Sequence, residues 1–418
     1  RMAQGLFFQS PPPAASASAG AGLGPMEQPL PPSPGERAAK APRRGPSPPS
    51  AGRREIRTVG FLGISDYGLG QLKVLADRYQ VMFATGKAKQ PKHAEGLDAQ
   101  LAAFCQERSI EFLGAVDANA EEFVQRAKAT DLLVIGGYDK ILHAPVINAP
   151  RHGVINTHLG FLPLNRGCCP TMWAQLHGLP QGFTTYRVNE SIDHGEILDR
   201  FDAGPQLGAL RDTNREVYDH LAAKAVGRFA DALDRLEQGE ALLPCEGKEA
   251  YHRQGLPNDS WLSFHWSNKF LRRFSLSLDF HPYLPGKCTV ASPSEGGSAT
   301  LFLAIEGDAE GAADLPKSGD REGDVGEVLA VWQDAGGSYF LNVRTRQGAV
   351  RCRVCRGATP AAGQLLGSAG DVGVHPIAVD VAEDVLPLER YLVKAPAANP
   401  LPLRLAAGAG AGAAEGQK

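Results

Sequence analysis

Between residues 56 and 137 the chain repeats one pattern, a short β-branched apolar run followed by a stretch with helical spacing. Residues 56–63 (IRTVGFLG) read as a first buried strand, 68–76 as a helix and 79–84 as a second strand. Residues 97–107 give a helix, 110–112 a short strand, 120–127 another helix and 132–137 a fourth strand. A helical crossover returns the chain in the direction it came from, so strands joined this way pair in parallel. The pattern therefore predicts an α/β fold with a doubly wound, mostly parallel sheet.

Such a sheet often carries a dinucleotide, but here the fingerprint is missing. The first turn runs Gly60-Phe61-Leu62-Gly63 and then Gly68-Leu69-Gly70. That order does not supply G-x-G-x-x-G, so the backbone cradle for a pyrophosphate is absent.

The chemistry concentrates in residues 153–198. Gly153-Val154-Ile155-Asn156-Thr157-His158 reads as a strand, and strand side chains alternate faces. Asn156 and His158 therefore point the same way. A Pro- and Gly-punctuated loop, Leu162-Pro163-Leu164-Asn165-Arg166-Gly167, follows directly, which puts both at the carboxyl end of the strand. Open α/β sheets bind their ligands at that edge. A polar turn, Ile192-Asp193-His194-Gly195, comes 35 residues after His158 and supplies a carboxylate. An amide that can donate to an oxyanion, an imidazole that can shuttle a proton and a carboxylate that can steady its charge are the parts acyl transfer needs.

Further on, residues 170–176 read as a helix opened by Pro170, and 183–189 and 196–201 as strands. A long helix over 214–238 begins at a capping box, Thr213 with Glu216, and stops at Gly239. Val217, Leu221, Ala225, Phe229, Leu233 and Leu236 form its one apolar stripe, which we read as core. A helix over 268–278 precedes five short alternating runs, 288–290, 299–305, 326–332, 339–344 and 349–354. Glycine- and aspartate-rich clusters separate them, as in a small antiparallel barrel. Residues 306–325 read as an acidic mobile loop.

The seven cysteines, an odd number in 418 residues, suit free thiols in a reducing compartment. Cys168-Cys169 lacks a second pair nearby and reads as packed thiols, not a metal site. Cys352 and Cys355 fall on opposite faces of a strand, so no metal is expected there either. No apolar run reaches 18 residues, which excludes a transmembrane helix. A net charge of −3 provides no global field for nucleic acid. Residues 1–54 are rich in Pro, Ala, Ser and Gly, and we read them as a disordered leader. On that reading the protein is cytoplasmic; a transit peptide would place it in an organelle. Residues 396–418 read as a disordered tail.

Three segments in order, Asn156-Thr157-His158, Leu162-Pro163-Leu164-Asn165-Arg166-Gly167 and Ile192-Asp193-His194-Gly195, resemble the folate-dependent formyltransferase family. The resemblance covers roughly residues 56–245 well and the remainder to about 395 weakly. It implies a Rossmann-like catalytic domain over 55–245, a linker over 246–275 and a small OB-like barrel over 276–395. It implies 10-formyltetrahydrofolate as donor, a primary amine as acceptor and direct attack without an acyl-enzyme. Asn156 and His158 would donate to the oxyanion, and Asp193 would pair with His158 and help remove the amine proton. Gly136, Gly137, Tyr138, Ile141, Gly160, Phe161, Leu162, Pro163 and Ile192 would line the folate pocket. Arg166 would lie near the acceptor, or cap carbonyls of its own loop.

Two acceptors compete. Residues 268–395 hold 13 Lys/Arg against 16 Asp/Glu, a poor surface for phosphate contacts. The loop continues Cys168-Cys169-Pro170, whereas methionyl-tRNA formyltransferases resembling this chain read Arg-Gly-Ala-Ala-Pro. Both features favour a small amine, such as an amino sugar on a nucleotide, over methionyl-tRNA. A formate-releasing hydrolase and an idle folate-binding protein are the readings from other classes. The hydrolases of this family usually carry a regulatory domain where the low-complexity leader stands, and the intact trio argues against an idle module.

Overall fold

The computed structural model describes residues 54–87, 92–204, 207–208, 211–291, 298–309, 325–367 and 384–393. The expected leader up to residue 53, most of the acidic loop and residues 394–418, which include the expected tail, lie outside the described residues.

The first half alternates strand and helix as expected. In chain order it holds β1 (Thr58–Leu62), α1 (Asp66–Arg78), β2 (Gln80–Gly86), α2 (Leu97–Glu107), β3 (Glu111–Ala115) and α3 (Glu121–Lys128). Then come β4 (Leu132–Ile135), α4 (Ala144–Ile147), β5 (Val154–His158), the two-residue β6 (Arg166–Gly167) and α5 (Pro170–His177). The strands β7 (Gly182–Arg187) and β8 (Ile197–Asp202) and the long α6 (Asn214–Glu237) complete this half. The capping box of Thr213 and Glu216 is formed in both directions. All six residues of the expected α6 stripe are buried.

The main sheet has the order β3-β2-β1-β4-β5-β7-β8. The pairs from β3 through β5 are parallel, and β5-β7 and β7-β8 are antiparallel. Strand order reverses between β1 and β4, which opens a crevice beyond their carboxyl ends. One face packs Val59, Phe61, Val134 and Ile155 against Leu72 and Leu75 of α1, Leu101 of α2 and Phe229, Leu233 and Leu236 of α6. The other face packs Leu133, Ile135 and Val154 against Phe123 and Val124 of α3 and Val146 and Ile147 of α4. Helix α4 is absent from the sequence expectation. It spans only four residues, too short for any periodicity to register.

The second half contains β9 (Tyr251–His252), α7 (Asn268–Leu278), β10 (Lys287–Ala291), β11 (Ser298–Asp308), β12 (Val328–Gln333), β13 (Tyr339–Thr345), β14 (Gly348–Arg356) and β15 (Leu366–Gly367). Strands β10 to β15 make one curled sheet, β12-β13-β14-β11-β10-β15, antiparallel throughout. A bridge between Glu327 and Leu365 joins its two ends. Its interior is capped by Phe270, Leu271, Phe274 and Leu278 of α7. The same core takes in Met172, Trp173 and Leu176 of α5, so the barrel packs on the helix that follows the loop after β5.

All seven cysteines are free. Cys168 and Cys169 are exposed and not packed as expected, because Cys169 adopts a left-handed backbone (φ 51°) at the start of α5 and the pair stands on the loop surface. Cys352 is buried and Cys355 half-buried, as opposite faces of β14 require.

Candidate active site

Strand β5 is buried except at its middle residue, Asn156, which is half-buried. Thr157 faces α1: Gln71 Nε2 donates to Thr157 Oγ1 at 2.8 Å, and Thr157 Oγ1 lies 3.0 Å from Thr185 Oγ1. Alternation then turns Asn156 and His158 to the opposite face. In the antiparallel register with β7, Asn156 stands opposite Tyr186 and His158 opposite Thr184. Directly opposed residues share a face, so a phenol and a hydroxyl join the amide and the imidazole.

Thr184 holds the loop after β5. Its Oγ1 donates to the Gly160 carbonyl at 2.9 Å and accepts the Leu162 N–H at 3.1 Å. The loop in turn holds His158, whose Nε2 lies 2.8 Å from the Asn165 carbonyl oxygen. A carbonyl only accepts, so Nε2 carries the hydrogen. Gly160 makes this possible: a Cβ there would sit 2.6 Å from His158 Nε2 and 2.7 Å from the Asn165 oxygen.

Asp193 closes the site from the β7-β8 turn in a left-handed conformation (φ 45°). Its Oδ1 accepts from the Tyr186 hydroxyl at 2.8 Å and its Oδ2 from the Gly167 N–H at 2.8 Å. The same Oδ2 is 3.8 Å from His158 Nδ1, and the two side chains are only 13% and 10% exposed. Gly195 lets the turn fold back, since a Cβ there would collide with the Arg187 carbonyl.

Asn156 Nδ2 donates to the Tyr186 hydroxyl at 3.1 Å. Burial, followed by the charge of Asp193, pushes the Tyr186 hydroxyl well above the usual tyrosine range, so it keeps its hydrogen. Tyr67 on α1 donates to the Thr157 carbonyl at 3.0 Å, and burial pushes its hydroxyl up to about 12. Neither tyrosine was anticipated from sequence. Tyr186 was within reach of such reasoning, because strands 153–158 and 183–189 were both expected and only their pairing was missing.

Arg166 is engaged on both sides. Its Nε donates to the Ile192 carbonyl at 2.8 Å and its Nη1 to Glu249 Oε2 at 2.7 Å. Glu249 Oε1 also lies 3.0 Å from His194 Nε2. Arg166 therefore caps a carbonyl of the β7-β8 turn and not one of its own loop as expected, and its charge is met by the Glu249 carboxylate.

The residues expected around a folate divide into two groups. Gly136 and Gly137 leave β4 at the switch point, and Ile141 on the same turn is 40% exposed. Gly160, Phe161 and Pro163 lie on the loop beside His158, with Phe161 covered by the Arg200 guanidinium 4.6 Å from its ring centre. Leu162 stands apart, fully buried with Tyr186, Ile197 and Cys245, with its carbonyl taken by Arg200. It supports the loop and does not line the crevice. The Tyr138 hydroxyl accepts from Ala118 N–H at 3.0 Å and donates to the Val116 carbonyl at 3.2 Å, so it braces the turn. Among the described residues no group of three His, Cys, Asp or Glu could hold a metal ion. No described helix is long and apolar enough to cross a membrane.

Residues 76–232 match the family model described as formyl transferase, and they enclose β5, the loop, Asp193 and most of α6. This part of the chain is similar to formyl transferase domains. Methionyl-tRNA formyltransferase of Lachnospira eligens is 31% identical over 199 residues, which covers 44% of this chain and 62% of that protein. That of Desulforamulus reducens is 26% identical over 331 residues, 75% of this chain and 98% of that protein. GDP-perosamine N-formyltransferase of Brucella melitensis is 26% identical over 183 residues, 43% of this chain and 68% of that protein. The chain spans about three fifths of the length of the first relatives it matches, 62% and 58%.

Proposed function

We propose that the protein moves the formyl group of 10-formyltetrahydrofolate to the nitrogen of a primary amine. The observation that carries this is the meeting of Asn156, His158 and Asp193 at the carboxyl end of β5, beside the switch-point crevice. The crevice suits a flat, partly apolar donor: Ile141, on the turn after β4, is 40% exposed there.

In this reading the second hydrogen of Asn156 Nδ2 meets the charge that develops on the formyl oxygen. His158 Nδ1 is the ring nitrogen open to substrate, since Nε2 is committed to Asn165. Asp193 steadies a protonated His158 and takes the proton that the attacking amine sheds as the new C–N bond forms; the bond from the formyl carbon to N10 of the donor then breaks, and that proton passes to N10, so tetrahydrofolate leaves neutral at that nitrogen.

For the acceptor we favour a small amine such as an amino-sugar nucleotide. Arg166, the cation beside the site, is already matched by Glu249. Among the described barrel residues, four basic side chains also meet carboxylates: Arg351 and Arg353 share Glu306 at 3.2 and 3.3 Å, Arg344 meets Glu327 at 3.2 Å and Lys287 meets Asp259 at 3.1 Å. Paired cations release few counterions on binding a polyanion. Methionyl-tRNA is the second reading, supported by the relative from Desulforamulus reducens, which this chain covers over 98% of its length.

The test is formyl transfer from 10-formyltetrahydrofolate to a panel of amino-sugar nucleotides and to methionyl-tRNA, with salt varied from about 50 to 300 mM. A small acceptor should show a log–log salt slope on the order of 1 to 2, whereas tRNA should show several. Activity on methionyl-tRNA with a steep slope reverses the choice of acceptor. Formate release at a comparable rate without any amine replaces transfer with hydrolysis.

A further inference from the structure

We propose that Tyr186 is a positioning residue of the transfer reaction: its hydroxyl decides which way the Asn156 amide faces and anchors the Asp193 carboxylate opposite His158. The inference rests on the transfer reading above and adds a residue that no expected motif contains.

A hydroxyl has a single hydrogen to give and lone pairs that accept. Asp193 Oδ1 is 2.8 Å from the Tyr186 oxygen, and an ionised carboxylate can only accept, so the hydrogen goes there. The Tyr186 oxygen is left as an acceptor. Asn156 Nδ2, 3.1 Å away, supplies the donor it needs. With the amide turned over, its Oδ1 would face the phenol oxygen with no hydrogen between them. Tyr186 thus selects the orientation in which nitrogen faces inward. The amide nitrogen has two hydrogens, and the second remains for the formyl oxygen. The reversed amide would present an oxygen to a developing negative charge.

Tyr186 is well placed to impose this direction. It is 3% exposed and packs with Leu162, Ile197 and Cys245 in a small core under the loop. Its backbone is held on both sides, opposite Asn156 in β5 and Ile197 in β8. The hydroxyl therefore has little freedom to follow a wandering partner. The resulting chain of donors, Asn156 to Tyr186 to Asp193, couples the two groups expected to act at opposite ends of the reaction, on the formyl oxygen and on the amine proton.

Tyr186→Phe in the full chain removes only the hydroxyl. We expect kcat to fall about 10- to 100-fold, with KM for donor and acceptor within about threefold and the melting midpoint nearly unchanged. We also expect Asn156→Ala to cost less than about threefold in the Tyr186→Phe background, although it is severe alone, because the two act as one unit. A crystal structure of Tyr186→Phe should show the Asn156 amide or the Asp193 carboxylate in a new orientation. A kcat within twofold of the unaltered protein, or losses that simply multiply in the double variant, overturns the proposal. If the unaltered chain transfers formyl to no amine tested, the functional reading fails by itself. The positioning claim is then judged on the crystal structure, where unchanged Asn156 and Asp193 in Tyr186→Phe refute it.

Discussion

Arg166 Nη1 lies 2.7 Å from Glu249 Oε2, and the two side chains are 11% and 18% exposed. The pair ties the loop after β5 to a segment that the sequence expectation leaves outside the site. Arg166 also holds the Ile192 carbonyl, next to Asp193, so the pair sets the position of the carboxylate turn. Glu249→Ala leaves a nearly buried guanidinium without a counter-charge, and we expect a loss of about 3 kcal/mol in stability. Glu249→Gln, which keeps an acceptor and the volume, should lose clearly less. Urea unfolding of both variants checks this, and equal, negligible losses would show the pair to be incidental.

His158→Ala and Asp193→Asn should each lower kcat by at least about 10²-fold, the scale for losing an oxyanion or proton-transfer group. Donor affinity should stay within a few-fold, because the folate reading places its contacts on the β4 turn and the loop after β5. Steady-state kinetics with calorimetric titration of a non-reactive formylfolate separates the two effects. Near-normal turnover in either variant removes that residue from the mechanism.

Gly160→Ala should act through His158. The added methyl group would stand 2.6 Å from Nε2, so the hydrogen bond to Asn165 cannot survive in place. We expect kcat to drop at least about tenfold, since an imidazole displaced by a fraction of an ångström loses its alignment. Circular dichroism should remain native, because Gly160 lies on a loop and not within the sheet.

His177 supplies a pH dependence of stability. Its Nδ1 donates to the Leu386 carbonyl at 2.8 Å, and its Nε2 lies 2.9 Å from His252 Nε2, so His252 must be the donor of that bond. Trp173 and Tyr391 pack on both rings. Burial lowers the imidazole from 6.5 to about 4, with the Leu386 carbonyl and Glu389 pulling weakly upward. Between those pH values the unfolded chain binds a proton that the folded chain refuses. The stability is complete above about pH 6.5 and is lost as the pH falls toward 4, by up to about 3 kcal/mol. His177→Gln should flatten that part of the profile in chemical denaturation measured from pH 7 to 4. An unchanged slope would assign the acid sensitivity to other groups.

Periodicity made the parallel sheet, the α6 stripe and the helix over 268–278 legible before any coordinates, because burial of one face writes its spacing into the chain. The order of Asn156, His158 and Asp193 along the sequence likewise marked the candidate site, since a strand end and a turn can be read locally. What the sequence left open is which strands lie side by side. The antiparallel pairing of β5 with β7 brings Tyr186 opposite Asn156, and the two-residue pairing of β6 with β9 brings Glu249 to Arg166. Contacts between segments 30 and 83 residues apart carry no local periodicity. Their register is set only when the whole core closes, and it was the tertiary structure that decided how the site's charges and hydrogen bonds are shared.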